Sequence, residues 1–293
     1  MGNIFSGLSK LGLSKIEGID IFDKEEKPEM VDNNSKKEKK VDKKKVVIEE
    51  LDMIYDKTYC CPVCDKEFKS KTVMSGKAKL VSIDTDLRPK YQGIDCIKYD
   101  CVVCEHCGYG VLTRYFGALS PTQVKSVKEN ICDSFEGVDF GENTYSYDDA
   151  IIRYQLALAN SIVKHAKNSE RAYACLKLAW LYRGKAENLE ESDIDYAEKL
   201  EECRVEEKKY TETAYEGFKK AMQSEYFPIC GMDEPTLTYL LADLARRNKD
   251  YEISAKLISQ ILLSRSASSK VKERARDLKE ILRKEVKDGI VQD

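Results

Sequence analysis

Two short cysteine turns constrain this chain more than any other feature. One is Cys61-Pro62-Val63-Cys64; the other is Cys104-Glu105-His106-Cys107, followed by Gly108-Tyr109. Each has the C-x2-C spacing with which two thiolates of one tight turn bind a single ion, and two such turns close a tetrahedral site. The spacing predicts Cys61, Cys64, Cys104 and Cys107 as ligands of one structural zinc. Iron in a rubredoxin-like site is the rival metal, and unrelated free cysteines are the alternative without any metal. Cys60 and Cys101 compete for assignment, because Cys101 and Cys104 also form a C-x2-C pair. The Gly-Tyr after Cys107 favours Cys104 with Cys107, since a hook turn needs positive φ just past its second cysteine; Gly108 and Asp65 stand there. His106 is expected to face solvent. A closed shell of four thiolates leaves no open coordination position and cannot activate water.

The flanks of both hooks read as strands. Glu67 to Val73 alternates roughly with period two, Ala78 to Ile83 is a second candidate, and Tyr99 to Val103 runs into the second hook. Asp84 to Pro89 reads as a loop, because Pro89 does not suit a continuous central strand. Strand, hook, strand, twice over, is the layout of a zinc ribbon. Within the long interval between hooks, Asp84, Asp86, Arg88 and Tyr91 cluster. They are expected to form either a recognition surface or a salt-bridged anchor between ribbon and helices.

From Ser120 onward the apolar period becomes 3.6. Ser120-Pro121 is a helix start, with Ser at the N-cap and Pro at the first helical position. Ser146, Ser169, Asp233 and Asp250 mark further starts, a long charged helix is expected from about Ser192 to Gln223, and a last one from about Ser268 to Val286. Seven helices result. Ala214, Phe218 and Ala221 follow the small–aromatic–small spacing of a tetratricopeptide second helix; Leu178-Ala179 with Tyr182, and Leu241-Ala242 with Ala245, resemble first helices, the latter leading to Tyr251 and Ala255. An unrelated helical bundle is the alternative. The fold class is therefore α+β, a small β-rich zinc ribbon followed by an all-α domain of tetratricopeptide-like hairpins. Residues 1–47 are read as an N-terminal motif and linker, 48–118 as the ribbon and 119–293 as the helical domain.

The N-terminal motif, residues 1–22, carries Ile4, Phe5, Leu8, Leu11, Leu13, Ile16, Ile19 and Ile21 at mixed spacing, broken by Gly7, Gly12 and Gly18. It docks on a partner, on a membrane surface or on the protein's own core. Met1-Gly2 with Ser6 fits the myristoylation pattern. Residues 23–47, rich in lysine and glutamate, read as a solvated tether.

Lysine and arginine number 49 against 52 aspartates and glutamates, a balance that argues against wholesale nucleic-acid binding. No apolar run is long enough for a transmembrane helix and no secretory signal is visible, so the eleven cysteines are expected to be reduced and the protein cytoplasmic. With two histidines, histidine-based catalysis has little material. His165 is expected to complement a helix dipole. There is no phosphate-cradling glycine loop and no nucleophile elbow. The acidic stretch from Glu187 to Asp193 lacks EF-hand spacing.

Taken together these residues resemble a bacterial family, domain-of-unknown-function family 2225, common in Firmicutes. The resemblance rests on Cys61-Pro62-Val63-Cys64-Asp65-Lys66-Glu67-Phe68 and on Asp84-Thr85-Asp86-Leu87-Arg88-Pro89 with Tyr91 and Gly93-Ile94. Tyr99-Asp100 before the second hook, Leu178 to Arg183 and Tyr239 to Arg247 extend it. It covers roughly residues 50–265. It implies a bacterial cytoplasmic protein with a zinc ribbon and tetratricopeptide-like helices, and no reaction. Members often carry Pro after the first cysteine of the second hook, where this chain has Glu105. The leading expectation is a non-enzymatic scaffold that binds a protein or peptide partner through a helical groove. Nucleic-acid binding through the ribbon is the alternative, motivated by seven Lys/Arg against three Asp/Glu from Lys66 to Lys90. An enzyme that uses acidic residues and a further cofactor is the third.

Overall fold

A computed structural model describes residues 6–13, 16, 21–22, 49–141 and 143–290. The charged tether and the Met1-Gly2 pattern lie outside these residues. The fold is α+β: small antiparallel hairpins precede a helical C-terminal region.

Strands β1 (Ile54–Cys60) and β2 (Glu67–Val73) form the first hairpin, paired from Ile54 with Val73 to Cys60 with Glu67. Strands β3 (Leu80–Ile83) and β4 (Pro89–Tyr91) form the second, and β5 (Cys101–Val103) and β6 (Gly110–Leu112) the third. Each cysteine hook is thus the turn of a hairpin. The loop reading of residue 89 needs correction: Pro89 opens β4. This strand is short and has one partner, so the missing N–H of proline is not needed. Ile54 to Cys60, ahead of the first hook, is a full strand. It alternates poorly because most of its side chains are exposed.

The helices are α1 (Pro121–Asn130), α2 (Tyr147–Val163), α3 (Asn168–Glu187), α4 (Tyr196–Ser224), α5 (Glu234–Arg247), α6 (Tyr251–Leu263) and α7 (Ser269–Ile290). Ser120 and Ser146 each close a capping box, with Gln123 and Asp149, and Asp233 accepts from the Thr236 N–H. Asp250 sits at the N-cap of α6 without a side-chain cap bond. His165, just past α2, has φ 52 and takes the left-handed position of a Schellman ending: its N–H donates to Ile162 O and that of Ala166 to Ser161 O.

α3 and α4 run antiparallel. Ser169 at the start of α3 donates to Glu225, just past α4, at 2.8 Å, and Arg183 near the end of α3 donates to Glu207 within α4 at 2.7 Å. α3 is buried on nearly every side, which is why it lacks an amphipathic face. In α6 the small packing residue is Ser254, whose hydroxyl donates to Ala242 O at 2.8 Å, while Ala255 is exposed. The repeat spacing drawn through Ala255 was therefore one residue out of phase.

One apolar core runs from the cysteine hooks through α2 and α3 to Ala245. The described part of the N-terminal segment belongs to it. Leu8, Leu13, Ile16, Ile21 and Phe22 are buried, Arg171 donates to Ile21 O at 2.5 Å, and Lys220 donates to Phe22 O at 3.2 Å. Of the docking alternatives for this segment, packing on the protein's own core is the one these contacts support.

Candidate metal centre

The two hooks have the same backbone wiring. In the first, Cys61 N–H donates to Lys66 O at 3.0 Å and Asp65 N–H donates to Cys61 O at 3.0 Å. In the second, Cys104 N–H donates to Tyr109 O at 2.8 Å and Gly108 N–H donates to Cys104 O at 2.9 Å. The residue after each second cysteine is left-handed, with φ 59 at Asp65 and φ 72 at Gly108. Asp65 is exposed and has room for its side chain. At Gly108 a Cβ would lie 2.7 Å from Phe135 Cδ2, so glycine is required there by space as well as by φ.

The four sulfurs of Cys61, Cys64, Cys104 and Cys107 all lie within 4.8 Å of one another and could hold a metal ion. Across the hooks, Cys61 Sγ is 3.6 Å from Cys107 Sγ and Cys64 Sγ is 3.7 Å from Cys104 Sγ. A tetrahedral shell with Zn–S near 2.3 Å has sulfur–sulfur edges of about 3.8 Å. The donor set therefore fits zinc in size and in softness. Cys61, Cys104 and Cys107 are buried and Cys64 is partly so.

Four sulfurs this close cannot all carry charge unless a cation neutralises them. Hydrogen bonds from Cys104 and Cys107 hold the Cys61 thiol at about 2, against the opposing effect of burial. Cys107 is pushed far up, because it shares hydrogen bonds with Cys104, Cys132 and Cys61. Cys132 thus touches the site from the turn after α1.

The competing cysteines are elsewhere. Cys101 is fully buried and donates to Arg153 O at 3.3 Å; burial pushes its thiol up to about 12. Cys60 is exposed, against Asp65 O. Cys96 is also pushed up to about 12 by burial. His106 is exposed, with Nε2 3.2 Å from Glu67 O.

The centre is seated on α2. Asn160 donates from Nδ2 to Gly108 O at 2.9 Å, and Gly110 packs so closely on Leu156 and Ala157 that a Cβ there would crowd their backbone. Tyr59 stacks on Phe68 and meets Phe116 edge-on, which encloses the hooks in apolar surface.

A family model described as "Uncharacterized protein conserved in bacteria (DUF2225)" matches residues 54–282, a span that includes both hooks and all of α1 to α6. The chain belongs to that family. No curated protein and no solved structure matches the chain. For this DUF2225 member, then, the site itself must supply the functional argument.

The interval between the hooks turns inward. Asp86 is almost wholly buried; its Oδ2 accepts from Trp180 Nε1 at 3.0 Å and Arg183 Nη2 at 2.7 Å. Asp84 Oδ2 accepts from Arg183 Nη1 at 3.3 Å. Arg88 donates to Asp95 at 3.2 Å and to Glu187 at 3.1 Å, and Lys90 reaches Glu187 at 2.8 Å. Thr85 donates to Asp243 on α5 at 3.0 Å and accepts from Arg247 at 3.1 Å. Tyr91 is half-buried beside a hollow shared with Tyr99 and Lys177. Asp86 and Arg88 are buried and engaged, contacts that support the anchor alternative, while Asp84 and Tyr91 are partly exposed. Leu87 at the loop's tip has φ 70 and packs on the core, which offsets the strain.

Asn160, Cys132, Arg247 and Asp243 were not assigned to any site from sequence. The signal for Asn160 was an amide inside the apolar run from Leu156 to Val163. Asp243 lies likewise between Leu241-Ala242 and Leu244-Ala245.

Proposed function

We propose that this protein is a non-enzymatic scaffold, held in shape by one structural zinc and built to bind a protein or peptide partner through its helical part. The observation that carries this reading is the four-cysteine group. Four protein thiolates complete a tetrahedral shell, and no position is left for water or substrate. In this reading residues 48–118 are the zinc-stapled unit, and residues 119–293 are the binding unit, with α3–α4 and α5–α6 as tetratricopeptide-like hairpins. Such hairpins stack into concave surfaces suited to extended or helical partners. The buried ion-pair anchor fixes the stapled unit to α3 and α5. The ribbon then acts as a rigid end piece rather than a separate reader of nucleic acid. Three of its cations, Lys71, Arg88 and Lys90, are already paired with acids. No described helix is long and apolar enough to cross a membrane, and a cytoplasmic location fits the free thiols.

The test is in-cell photocrosslinking from sites spaced along the exposed faces of α4 to α7, with mass spectrometry of the products. A discrete partner linked from contiguous sites is expected. Crosslinks that appear only to DNA or RNA, in a salt-dependent manner, overturn the scaffold reading in favour of nucleic-acid binding.

A further inference from the structure

The helical part ends in two adjoining hollows. The first, of about 380 Å3, lies where α4, the end of α5 and α7 meet. Arg204 and Lys208 reach it from successive turns of α4. Arg246 and Arg247 close α5 beside it, and Lys249 stands in the following turn. Two acids, Glu207 and Glu285, share the lining, so positive charge dominates a local surface in a chain whose formal net charge is −3.

These cations are unequally neutralised. Arg246 lies on Asp243 and Glu285 at 2.7 and 2.5 Å, and Arg247 lies on Asp243 at 2.7 Å. Lys208 meets Glu212 only at 3.9 Å, and Arg204 and Lys249 have no ion-pair partner among the described residues. Asp243 therefore fixes two guanidinium groups in place while three flexible cations stand open around them.

Lys249 is in a costly position. The turn from α5 to α6 closes with Asp250 N–H on Ala245 O and Lys249 N–H on Arg246 O, both at 2.9 Å. Lys249 takes the left-handed residue of this ending, φ 62, where glycine is usual. A lysine here gives up backbone stability and sets a cation at the lip of the hollow. An unfavourable backbone held at a binding surface is a pointer to function.

The second hollow, about 670 Å3, is a trough between α6 and α7 that meets the first at Tyr251. Ala255, Ile258, Leu282 and Val286 line it, and Lys279, Lys284 and Lys287 stand along it. Its one acid, Glu280, is paired with Arg283 at 2.7 Å.

We infer that the two hollows form one docking surface for an acidic segment of a partner protein that also carries large aliphatic or aromatic side chains. Charge complementarity selects the carboxylates, which lie over Arg204, Lys208 and Lys249. The trough beside them takes the apolar side chains. A free anion would use the first hollow alone and leave the trough open to water. This inference rests on the partner-binding reading above and names its site and the chemistry of the partner.

The test is panning of a phage library of random 16-residue peptides on the full-length protein, followed by affinity measurement with a labelled peptide of the enriched sequence. Enrichment of Asp or Glu together with Leu, Ile or Phe is expected. The double reversal Arg204→Glu, Lys208→Glu should weaken binding at least tenfold, and Lys125→Glu on the distant α1 should leave it unchanged. Lys249→Gly should raise the midpoint of thermal unfolding and still weaken the peptide several-fold, a pair of signs that loss of folding cannot produce. Enriched peptides without acidic residues, or an affinity unmoved by the double reversal, overturn this surface. In the second case, crosslinks from the peptide to another helix face leave the scaffold reading standing. A concentration-dependent dimer that the double reversal abolishes overturns it too, with a second copy as the occupant.

Discussion

Trp180 on α3 donates its indole N–H to Asp86 Oδ2 at 3.0 Å, and Asp86 lies midway between the two cysteine hooks. The same carboxylate takes Arg183 from α3, and Arg247 of α5 stands 3.7 Å away. One buried side chain thus joins the hairpin region to two helices that are distant in sequence. A carboxylate this deep is tolerated because every charge around it has a partner.

Removing that carboxylate should therefore cost more than an ordinary surface pair. Asp86→Ala takes the acceptor from the buried indole N–H and the closest acid from Arg183, which keeps Glu207 and Asp84, while Arg247 keeps Asp243; a loss of about 2–3 kcal/mol is expected. Asp86→Asn retains the indole bond and should lose less. Arg88→Glu, which sets like charges against Asp95 and Glu187, should also lower stability. Urea denaturation measures all three; an unchanged midpoint in Arg88→Glu would restore the recognition role for this loop.

The same residue predicts an acid-side pH dependence. Burial raises the Asp86 pKa, but Arg183 and Arg247 outweigh it and hold the group at about 2. An unfolded aspartate titrates near 3.9. The folded value is the lower one, so the stabilisation is full above about pH 4 and disappears as pH falls through about 2. It amounts to about 2 kcal/mol. The difference in stability between wild type and Asp86→Asn, followed from pH 5 to pH 2, should shrink across that window.

Metal content gives a direct check on the hooks. Mass spectrometry of the purified protein should find one zinc per chain, and Cys61→Ser or Cys107→Ser should lose it. Because Asn160 and Gly110 seat the centre on α2, chelation should release amide protection in β1, β2, β5 and β6 and also along the facing side of α2. The α5–α6 pair should stay protected. Asn160→Ala, which frees Gly108 O, should weaken metal retention about 10–100-fold without removing a ligand.

The two left-handed hook residues should respond unequally to substitution. Gly108→Ala meets both an unfavourable φ and the Phe135 ring, at a cost of at least about 2 kcal/mol. Asp65→Gly relieves its φ but frees the unfolded chain, so a net change within about 0.5 kcal/mol is expected. Thermal unfolding of the two variants in excess zinc reads the contrast.

Docking of the N-terminal segment can be tested at Phe22. A Cβ at Gly217 would collide with the Phe22 ring. Both Phe22→Ala and Gly217→Ala should destabilise the protein, the first by about 3 kcal/mol. A Cβ at Gly217 also crowds Ala172 Cβ at 2.8 Å, so Gly217→Ala should cost less, though not nothing, once Phe22 is already alanine, and the reduction measures the shared contact.

Much of the architecture was legible because its signals are local. Ser120-Pro121, Ser146 with Asp149, and Asp233 with Pro235 carry their helix starts within a few residues, and the caps appear where those residues stand. The bounds of β1 were not legible, because its exposed side chains do not alternate. The phase at Ala255 was misjudged because alanine and serine are equally small; only the neighbour, Ala242 O, decides which one faces inward.

The sequence by itself determined the four sulfurs, since two C-x2-C turns with a residue tolerant of positive φ after each need little beyond their own geometry. It also determined the order of hairpins then helices, because period two and period 3.6 are written residue by residue. Tertiary structure alone decided that Cys101 turns to Arg153. It likewise decided that Asp86 and Arg88 face inward to α3, and that Asn160 holds the second hook. These depend on which surfaces meet across tens of residues, and burial and pairing at such contacts leave no periodic trace in the chain.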